Sequence, residues 1–417
     1  MHMIAPASLA SPIAPPLAPS APAIPSKGRS RHVRELDGIR GIAVILVLLY
    51  HFFIYHRSYA AQDPSWLQPM ARLFDIASAM GWVGVEMFFV LSGFLITGIL
   101  DDARGHAGYF RSFYGRRALR ILPLYYAVLL IHLVVFSHET LPVWANIRYV
   151  ELHQGWYWLF LTNFLFASPA GWHRLTSHFW TLAIEEQFYL VWPMLVFWLD
   201  RRHMMRLCQF TLCAAFALRL FLLWDGVAAQ ELYLLTPTEL DGLVAGAFLA
   251  LAVRQKGEAP FVLRQGRWFA AIAALVLAAV ILLRRGLAFT DPVVSLVGFS
   301  SFAIVFGALI FLAARGSSAQ GATATPLSRT LGTPLLTFFG RYSYAIYLLH
   351  MPIIQLWRAP QRAETWLVGD GMAPFVAHLC YVLVVSASVA GAALLSWYLF
   401  EQPMLALRPR KLGLSDD

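Results

Sequence analysis

Apolar residues occur in blocks of about 20 along most of the chain, separated by short basic or Pro/Gly/Trp-rich links. A helix of about 20 apolar residues is long enough to cross the ~30 Å hydrocarbon core of a bilayer. The pattern therefore predicts about ten transmembrane helices, with both termini on one side. The predicted spans are residues 37–57, 81–100, 121–137, 178–199, 207–224, 237–253, 268–283, 293–314, 335–357 and 373–399.

A further apolar segment, residues 156–167, is only 12 residues long. This length is too short for a spanning helix and favours a re-entrant or interfacial piece. If the segment did cross the membrane, every later loop would change sides.

The composition agrees with a membrane protein. Hydrophobic residues make up 59% of the chain and charged residues 13%, whereas about a quarter of a soluble protein is charged. We expect an all-α, polytopic transmembrane helix bundle that packs against lipid. Cys208, Cys213 and Cys380 lie in apolar stretches with neither disulfide nor metal-site spacing, so we interpret them as packing residues.

The net charge of +9 arises from basic residues spread along the predicted loops. With ten spans, one side holds 21 of the 32 Lys and Arg residues and the other holds eight. Because positive loops favour the cytoplasm, both termini are predicted to be cytoplasmic. The dispersed charge forms no dense cluster or reader motif, which argues against a nucleic-acid partner.

The chain divides into a membrane domain and two tails. Residues 1–34 form a Pro/Ala-rich basic segment that is predicted to be disordered and lacks the features of a secretory signal. Residues 35–405 form the membrane domain, and residues 406–417 form a short cytoplasmic tail. We expect no second soluble domain.

Arg40 and His51 are the first candidates for chemistry, because ionisable groups within apolar spans are costly and usually face a bundle interior. Eleven residues are very nearly three helical turns, so both side chains fall on one face, roughly 16 Å apart. An imidazole suits removal of a proton from an acceptor hydroxyl. The alternative is a snorkelling arginine and a hydrogen-bonded core histidine.

A basic stretch with Arg111, Arg116, Arg117 and Arg120 precedes the third span. Arginine forks match phosphate oxygens, which suits the phosphates of a coenzyme A donor. Ordinary anchoring by the positive-inside rule explains the stretch equally well.

Glu185 and Glu186 lie within the fourth span and need partners or protons there. They can hold the His51 imidazole, cap an arginine or bind a substrate hydroxyl. A structural ion pair is an equal alternative.

Further polar residues of the spans have weaker signals. Ser92 and Arg341 are additional candidates for donor binding, although Ser92 beside Gly93 also fits close helix packing. Arg341 and His350, nine residues apart, fall on opposite helix faces and are expected to serve different neighbours. Glu86 is a lesser candidate, and structural roles are predicted for His132, Arg219, Glu239 and Asp241. The sequence has no nucleotide-binding glycine loop, metal-site spacing or GxSxG elbow, so nothing points to ATP, a metal or an acyl-serine intermediate.

Six blocks of the sequence stand out when they are taken together. They are Arg40-x10-His51, residues 88–97 (FFVLSGFLIT), 113–126 (FYGRRALRILPLYY), 180–190 (WTLAIEEQFYL), 343–352 (SYAIYLLHMP) and 400–403 (FEQP). They cover nearly all of residues 35–405. In this order they resemble the acyltransferase-3 family of membrane O-acyltransferases.

The resemblance implies a bacterial inner-membrane enzyme that moves an acyl group, often acetyl, from cytoplasmic acyl-CoA to an acceptor hydroxyl. Acyl-CoA is then a donor substrate, and no permanently bound cofactor is expected. In the family, the Arg-x10-His pair is the presumed active element, and it falls on Arg40 and His51. Some relatives carry an extracytoplasmic SGNH domain that is absent from this sequence, so either the membrane domain completes the transfer or a separate partner does.

The acceptor and the oligomeric state are left open by the sequence. A cell-surface or exported glycan or glycolipid is the first expectation for the acceptor, and a macrolide-type natural product is the alternative. A transporter or flippase is the rival from another class, because polar residues at membrane depth also line transport paths. No paired halves are detected. A non-catalytic scaffold is the third alternative.

Overall fold

The computed structural model describes residues 33–55, 62–134, 147–168, 171, 176–255, 259–318, 325–357 and 367–406. These ranges contain helices and turns and no β-strand. The helices are α1 Arg34–Tyr55, α2 Gln68–Ala79, α3 Val83–Asp102, α4 Tyr109–Val134, α5 Ile147–Leu152, α6 Gln154–Trp158, α7 Thr162–Ala167, α8 Phe179–Trp198, α9 Arg201–Trp224, α10 Ala229–Leu232, α11 Thr236–Arg254, α12 Ala259–Arg284, α13 Phe299–Ser318, α14 Pro326–Leu331, α15 Pro334–Arg341, α16 Ser343–Leu356, α17 Pro374–Ser396 and α18 Gln402–Ala406. Two π-helical segments, Val294–Gly298 and Trp397–Glu401, run directly into α13 and α18.

The chain is an all-α polytopic membrane bundle. Seven segments of the described ranges are long and apolar enough to cross a bilayer, and α16 is a shorter apolar helix. The bundle exposes large apolar side chains on its outer surface, such as Leu282 and Leu283 of α12. The count of ten spans and the cytoplasmic termini stay predictions. Most of residues 1–34 and 406–417, predicted to be tails, lie outside the described residues.

Two predicted boundaries are wrong. The helix predicted from residue 121 begins at Tyr109, so the basic stretch is helical and belongs to α4. The span predicted over residues 335–357 is divided at Tyr342 into α15 and α16. Arg341 and His350 therefore lie on separate helices, and the argument from one helix face does not apply to them.

The short apolar segment 156–167 forms two helices, α6 and α7, of five and six residues. Neither is long enough to cross the hydrocarbon. Between them Phe160 has φ of 53°, and its carbonyl accepts a hydrogen bond from the Gln187 amide at 2.8 Å. The Tyr125 hydroxyl donates to the Tyr157 carbonyl at 2.8 Å. Irregular backbone is tolerated at membrane depth where protein satisfies its polar groups. The re-entrant or interfacial position of this segment stays a prediction.

Glycines allow the closest helix contacts of the bundle. A Cβ atom on Gly93 of α3 would stand 1.8 Å from the Leu243 carbonyl oxygen of α11, and one on Gly246 would stand 1.9 Å from the Val90 carbonyl oxygen. On the other side of α3, α1 packs closely on α15, where a Cβ atom on Gly340 would overlap the Asp37 carbonyl. Small residues at such seams are typical of membrane helix pairs.

Ion pairs join several helix ends at one end of the bundle. Arg201 at the start of α9 donates to Asp101 at 2.6 Å, and Arg254 pairs with Asp102 at 2.9 Å. Asp200 caps α9 by accepting the His203 backbone N–H at 2.8 Å, which lowers the pKa of its carboxyl. These links fix α3 and α11 relative to α9.

The cysteines are free, and they differ in surroundings. Cys208 is buried, as a packing residue should be, whereas Cys213 is exposed, so the packing prediction is wrong for it. It lies on an outward-facing position of α9.

Candidate active site

A pocket with about 830 Å³ of empty space opens between α1, α3, α4, α8 and the start of α16. Part of this space is open to solvent. Its charged and hydroxyl-bearing lining residues are Arg40, Ser92, Arg117, Arg120, Thr181, Glu185, Tyr189, Ser343, Tyr344 and Tyr347. The remaining wall is apolar, from α3, α4 and α8.

The cations of the pocket have distinct partners. Arg40 pairs with Asp37 one turn earlier at 2.9 Å. The Arg117 guanidinium lies over the Tyr189 ring, 4.7 Å from its centroid, a cation–π geometry. Arg117 and Arg120 are three residues apart, so one face of α4 presents both to the pocket.

Glu185 is the carboxylate of the pocket. It interacts with the Ser92 and Tyr189 hydroxyls, and Arg117 and Arg40 are its nearby cations. Ser92 and Tyr189 are also hydrogen-bonded to each other. Because Tyr189 follows Glu185 by four residues, both project from the same face of α8. The pocket thus holds more positive than negative charge and can accept an anionic ligand.

Other predicted residues lie outside the pocket lining. Glu186 is near Arg117 but faces a tyrosine-rich region that includes Tyr126 and Tyr344. Arg116 is not among the lining residues. Arg341 is exposed and packs its guanidinium against Trp397, 5.5 Å from the ring centroid.

His51 points into the bundle, where three imidazoles meet. Its ring centroid is 4.7 Å from that of His350 in α16, which is 5.0 Å from that of His178 at the start of α8. His178 and His350 are buried, and His51 is half-buried. The sequence treats these histidines separately, but the fold brings them together.

The hydrogen bonds assign a tautomer to His51. Its Nδ1 lies 2.9 Å from the Val47 carbonyl oxygen, an acceptor, so Nδ1 carries the proton. The same Nδ1 lies 3.3 Å from His350 Nε2. His350 Nε2 is an acceptor, because the proton of the neutral His350 ring is on Nδ1, which donates to the Tyr347 carbonyl. Nε2 of His51 is therefore the unprotonated nitrogen, the form that a general base requires.

Tyr347 separates the pocket from the histidine cluster. Its hydroxyl lies 2.6 Å from the Thr181 hydroxyl and donates to the His178 carbonyl at 3.2 Å. Its ring lies 5.5 Å from that of His350. Arg40 and His51 consequently occupy two neighbouring compartments. Among the described residues, no carboxylate is a hydrogen-bond partner of His51.

The sequence missed Thr181, Tyr347 and His178 as members of the site. They lie in or next to the sequence blocks 180–190 and 343–352, which the resemblance marks as important. Within those blocks, no spacing or motif distinguishes these three side chains from structural hydroxyls and histidines. No group of three or more His, Cys, Asp and Glu side chains in the described ranges is arranged to hold a metal ion.

The acyltransferase domain model of the acyltransferase-3 family matches residues 33–397. The peptidoglycan O-acetyltransferase OatA of Listeria monocytogenes is 29% identical over 363 residues, which are 80% of this chain and 53% of that protein. The putative peptidoglycan O-acetyltransferase YrhL of Bacillus subtilis is 29% identical over 78% of this chain and 50% of its own length. A putative O-acetyltransferase of Staphylococcus aureus is 25% identical over 76% of this chain and 50% of its own length.

This chain thus spans about half the length of these curated relatives. No solved structure matches it.

Proposed function

Because this chain belongs to the acyltransferase-3 family, we propose that it is an inner-membrane O-acetyltransferase that moves an acetyl group from cytoplasmic acetyl-CoA to a glycan hydroxyl. The observation that carries the proposal is the pairing of a cationic pocket with a correctly protonated histidine base behind Tyr347. The multi-pass bundle and the names of the relatives support the same reaction class.

In this proposal the pocket receives the donor. Arg117 and Arg120 bind phosphate oxygens of CoA, for which guanidinium forks are well shaped. The pantetheine arm lies along the apolar wall formed by residues such as Phe88 and Leu182. The thioester reaches the Tyr347 end of the pocket. Arg40 faces the same space and orients the CoA arm.

His51 acts as the general base. Its Nε2 removes the proton from the acceptor hydroxyl while the hydroxyl oxygen attacks the thioester carbonyl carbon. The C–O bond forms, the C–S bond breaks, and the proton on His51 then passes to the leaving thiolate. As His51 becomes an imidazolium, its Nδ1–H keeps two acceptors, the Val47 carbonyl and His350 Nε2. They orient the ring as the carboxylate does in other catalytic triads.

The acceptor is proposed to be a hydroxyl of a cell-wall glycan. Two relatives bear names that specify peptidoglycan, so peptidoglycan fragments and their lipid-linked precursors are the first acceptors to test. An exported polysaccharide or glycolipid is the next class.

The test uses the full chain, purified and reconstituted in vesicles, with radiolabelled acetyl-CoA and a panel of glycan acceptors. His51→Ala is expected to abolish transfer, while His106→Ala, which removes an exposed loop histidine, is expected to match the wild type. Wild-type transfer rates in the His51→Ala protein would exclude this mechanism. Movement of an acceptor across the vesicle membrane without acetylation would favour a transporter.

A further inference from the structure

A group of acidic side chains is buried at the contact between α3 and α11, apart from the pocket lining and the histidine cluster. Glu86 of α3 and Glu239 and Asp241 of α11 are each fully buried. The two helices form the most extensive contact of the described bundle. The Glu86 and Glu239 carboxyl groups are close enough to interact directly.

Arg219 is the cation nearest these three carboxyl groups among the described residues, and Asp241 is the one of the three that it hydrogen-bonds. Arg219 of α9, also fully buried, donates to Asp241 Oδ2 at 2.8 Å and to the Ser300 hydroxyl at 2.9 Å. It also donates to the Thr238 carbonyl. Arg219 therefore hydrogen-bonds Asp241 and neither glutamate, which leaves the charge of Glu86 and Glu239 without a hydrogen-bonded counterion.

Apart from each other, the Glu86 and Glu239 carboxyl groups have no hydrogen-bond partner among the described residues. The other titratable or charged groups that reach this pair are Arg219, Asp241 and the Tyr233 phenol. Tyr233 is in turn within electrostatic reach of Tyr50 of α1 and Tyr347 of α16. Two adjacent carboxylates without donors are very costly within a membrane protein, so the pair needs a bound cation or a proton.

A proton fits the site better than a metal ion. No metal-ligand grouping of three or more acidic, Cys or His side chains occurs in the part of the chain described here. One proton between two facing carboxyl groups removes a charge and supplies the missing hydrogen-bond donor, as it does where two carboxylates share a site in other proteins.

We propose that Glu86 and Glu239 form a membrane-embedded proton site that retains one dissociable proton between their carboxyl groups. This proton site does not depend on the proposed acetyl transfer, since neither residue lines the donor pocket. It gives the bundle a titratable group beside the tyrosines that lead toward the histidine cluster.

Infrared spectroscopy of the purified full chain tests the proposal. Difference spectra between neutral and alkaline pH, a range in which exposed carboxyl groups are already ionised, should contain the C=O stretch of a protonated carboxylic acid, with the shift expected on exchange into D₂O. The double variant Glu86→Gln/Glu239→Gln should lose this band, because both carboxyl groups are replaced by neutral amides of nearly the same shape. Glu231→Gln, which removes an exposed carboxyl near the start of α11, should keep the wild-type band.

The single variants provide a second measurement if the double variant does not fold. In each, the new amide can donate to the remaining carboxylate, so the shared proton is no longer needed and the band should disappear. A wild-type spectrum without the band, or a band that persists in the double variant, would overturn the proposal. So would loss of the wild-type band when NaCl replaces choline chloride, because that result would identify a sodium site.

Discussion

Arg117→Gln separates the two explanations of the basic stretch in α4. Positive-inside anchoring treats the arginines of this stretch alike, whereas donor binding requires a guanidinium that faces the pocket. Arg117 lines the pocket and lies over the Tyr189 ring, while Arg111 is exposed on the same helix. Arg111→Gln is therefore a control with the same change of charge.

The magnitude follows from the contacts that Arg117 is proposed to make. A hydrogen bond to a charged group contributes about 1.5–3 kcal/mol. Loss of one such bond to a CoA phosphate corresponds to a roughly 10- to 150-fold rise in KM for acetyl-CoA. Since Arg117 is remote from the proposed base, kcat should change much less. The substitution also removes a cation near Glu185, but Arg40 remains near that carboxylate.

Initial rates of acetyl transfer by both variants, measured against acetyl-CoA concentration in vesicles, decide the question. Immunoblotting of membranes checks insertion. Equal KM values for the wild type and the Arg117→Gln protein would refute phosphate binding by this residue. Equal losses in Arg117→Gln and Arg111→Gln, with reduced membrane levels of both, would show that anchoring explains the stretch. An Arg116→Gln variant tests whether the third predicted arginine takes part.

Three further predictions concern the base, the helix seam and the buried ion pair. His350→Gln perturbs the acceptor for the His51 Nδ1–H, so kcat should fall by about 10- to 150-fold, equivalent to about 1.5–3 kcal/mol. The KM for acetyl-CoA should stay unchanged. A raised KM with a normal kcat would contradict the proposed role of His350 in orienting His51. Gly246→Val should destabilise the bundle by about 1–3 kcal/mol, measured as a lower melting temperature in detergent. Gly307→Ala should have no such effect, because no atom lies within 4 Å of the added Cβ. Arg219→Met should lower the free energy of unfolding by about 3–5 kcal/mol, because it leaves the buried Asp241 carboxylate without its cation. Adding Asp241→Leu should recover part of that stability. A double variant no more stable than the single one would argue against a stabilising Arg219–Asp241 ion pair.

The membrane bundle was largely predictable because lipid imposes a simple length rule on apolar segments. The segment 156–167 was also identified as too short to span, and it forms two short helices. The errors occur where polar residues continue a helix or interrupt one. The arginines of α4 extend it to Tyr109. The division between α15 and α16 falls at Tyr342, two residues after Gly340, which still belongs to α15.

The candidate site was predictable only in part. Arg40, Arg117 and Glu185 carry charge inside apolar sequence, which is a strong signal, and the fold gathers all three around one pocket. The neighbours of His51 depend on where α16 and α8 cross α1, and a single sequence does not encode that crossing in any local pattern. For this reason the sequence proposed a carboxylate partner for His51, whereas His350 occupies that place.

The same limitation explains the acidic group. The sequence alone makes Glu86 a lesser candidate and predicts a structural role for Glu239, because neither residue belongs to a recognisable motif in its own segment. The two carboxyl groups become neighbours only because Gly93 and Gly246 allow α3 and α11 to pack closely.

The position of Tyr347 has a consequence for inhibitor design. A compound that mimics both substrates at once would have to pass this phenol, so its linker must be slender and able to displace the hydrogen bond to Thr181. If the pocket receives the donor as proposed, a bulky rigid mimic would instead compete with the donor alone. Screening for affinity to the cationic side, followed by stepwise extension toward His51, is therefore the more rational course for chemists.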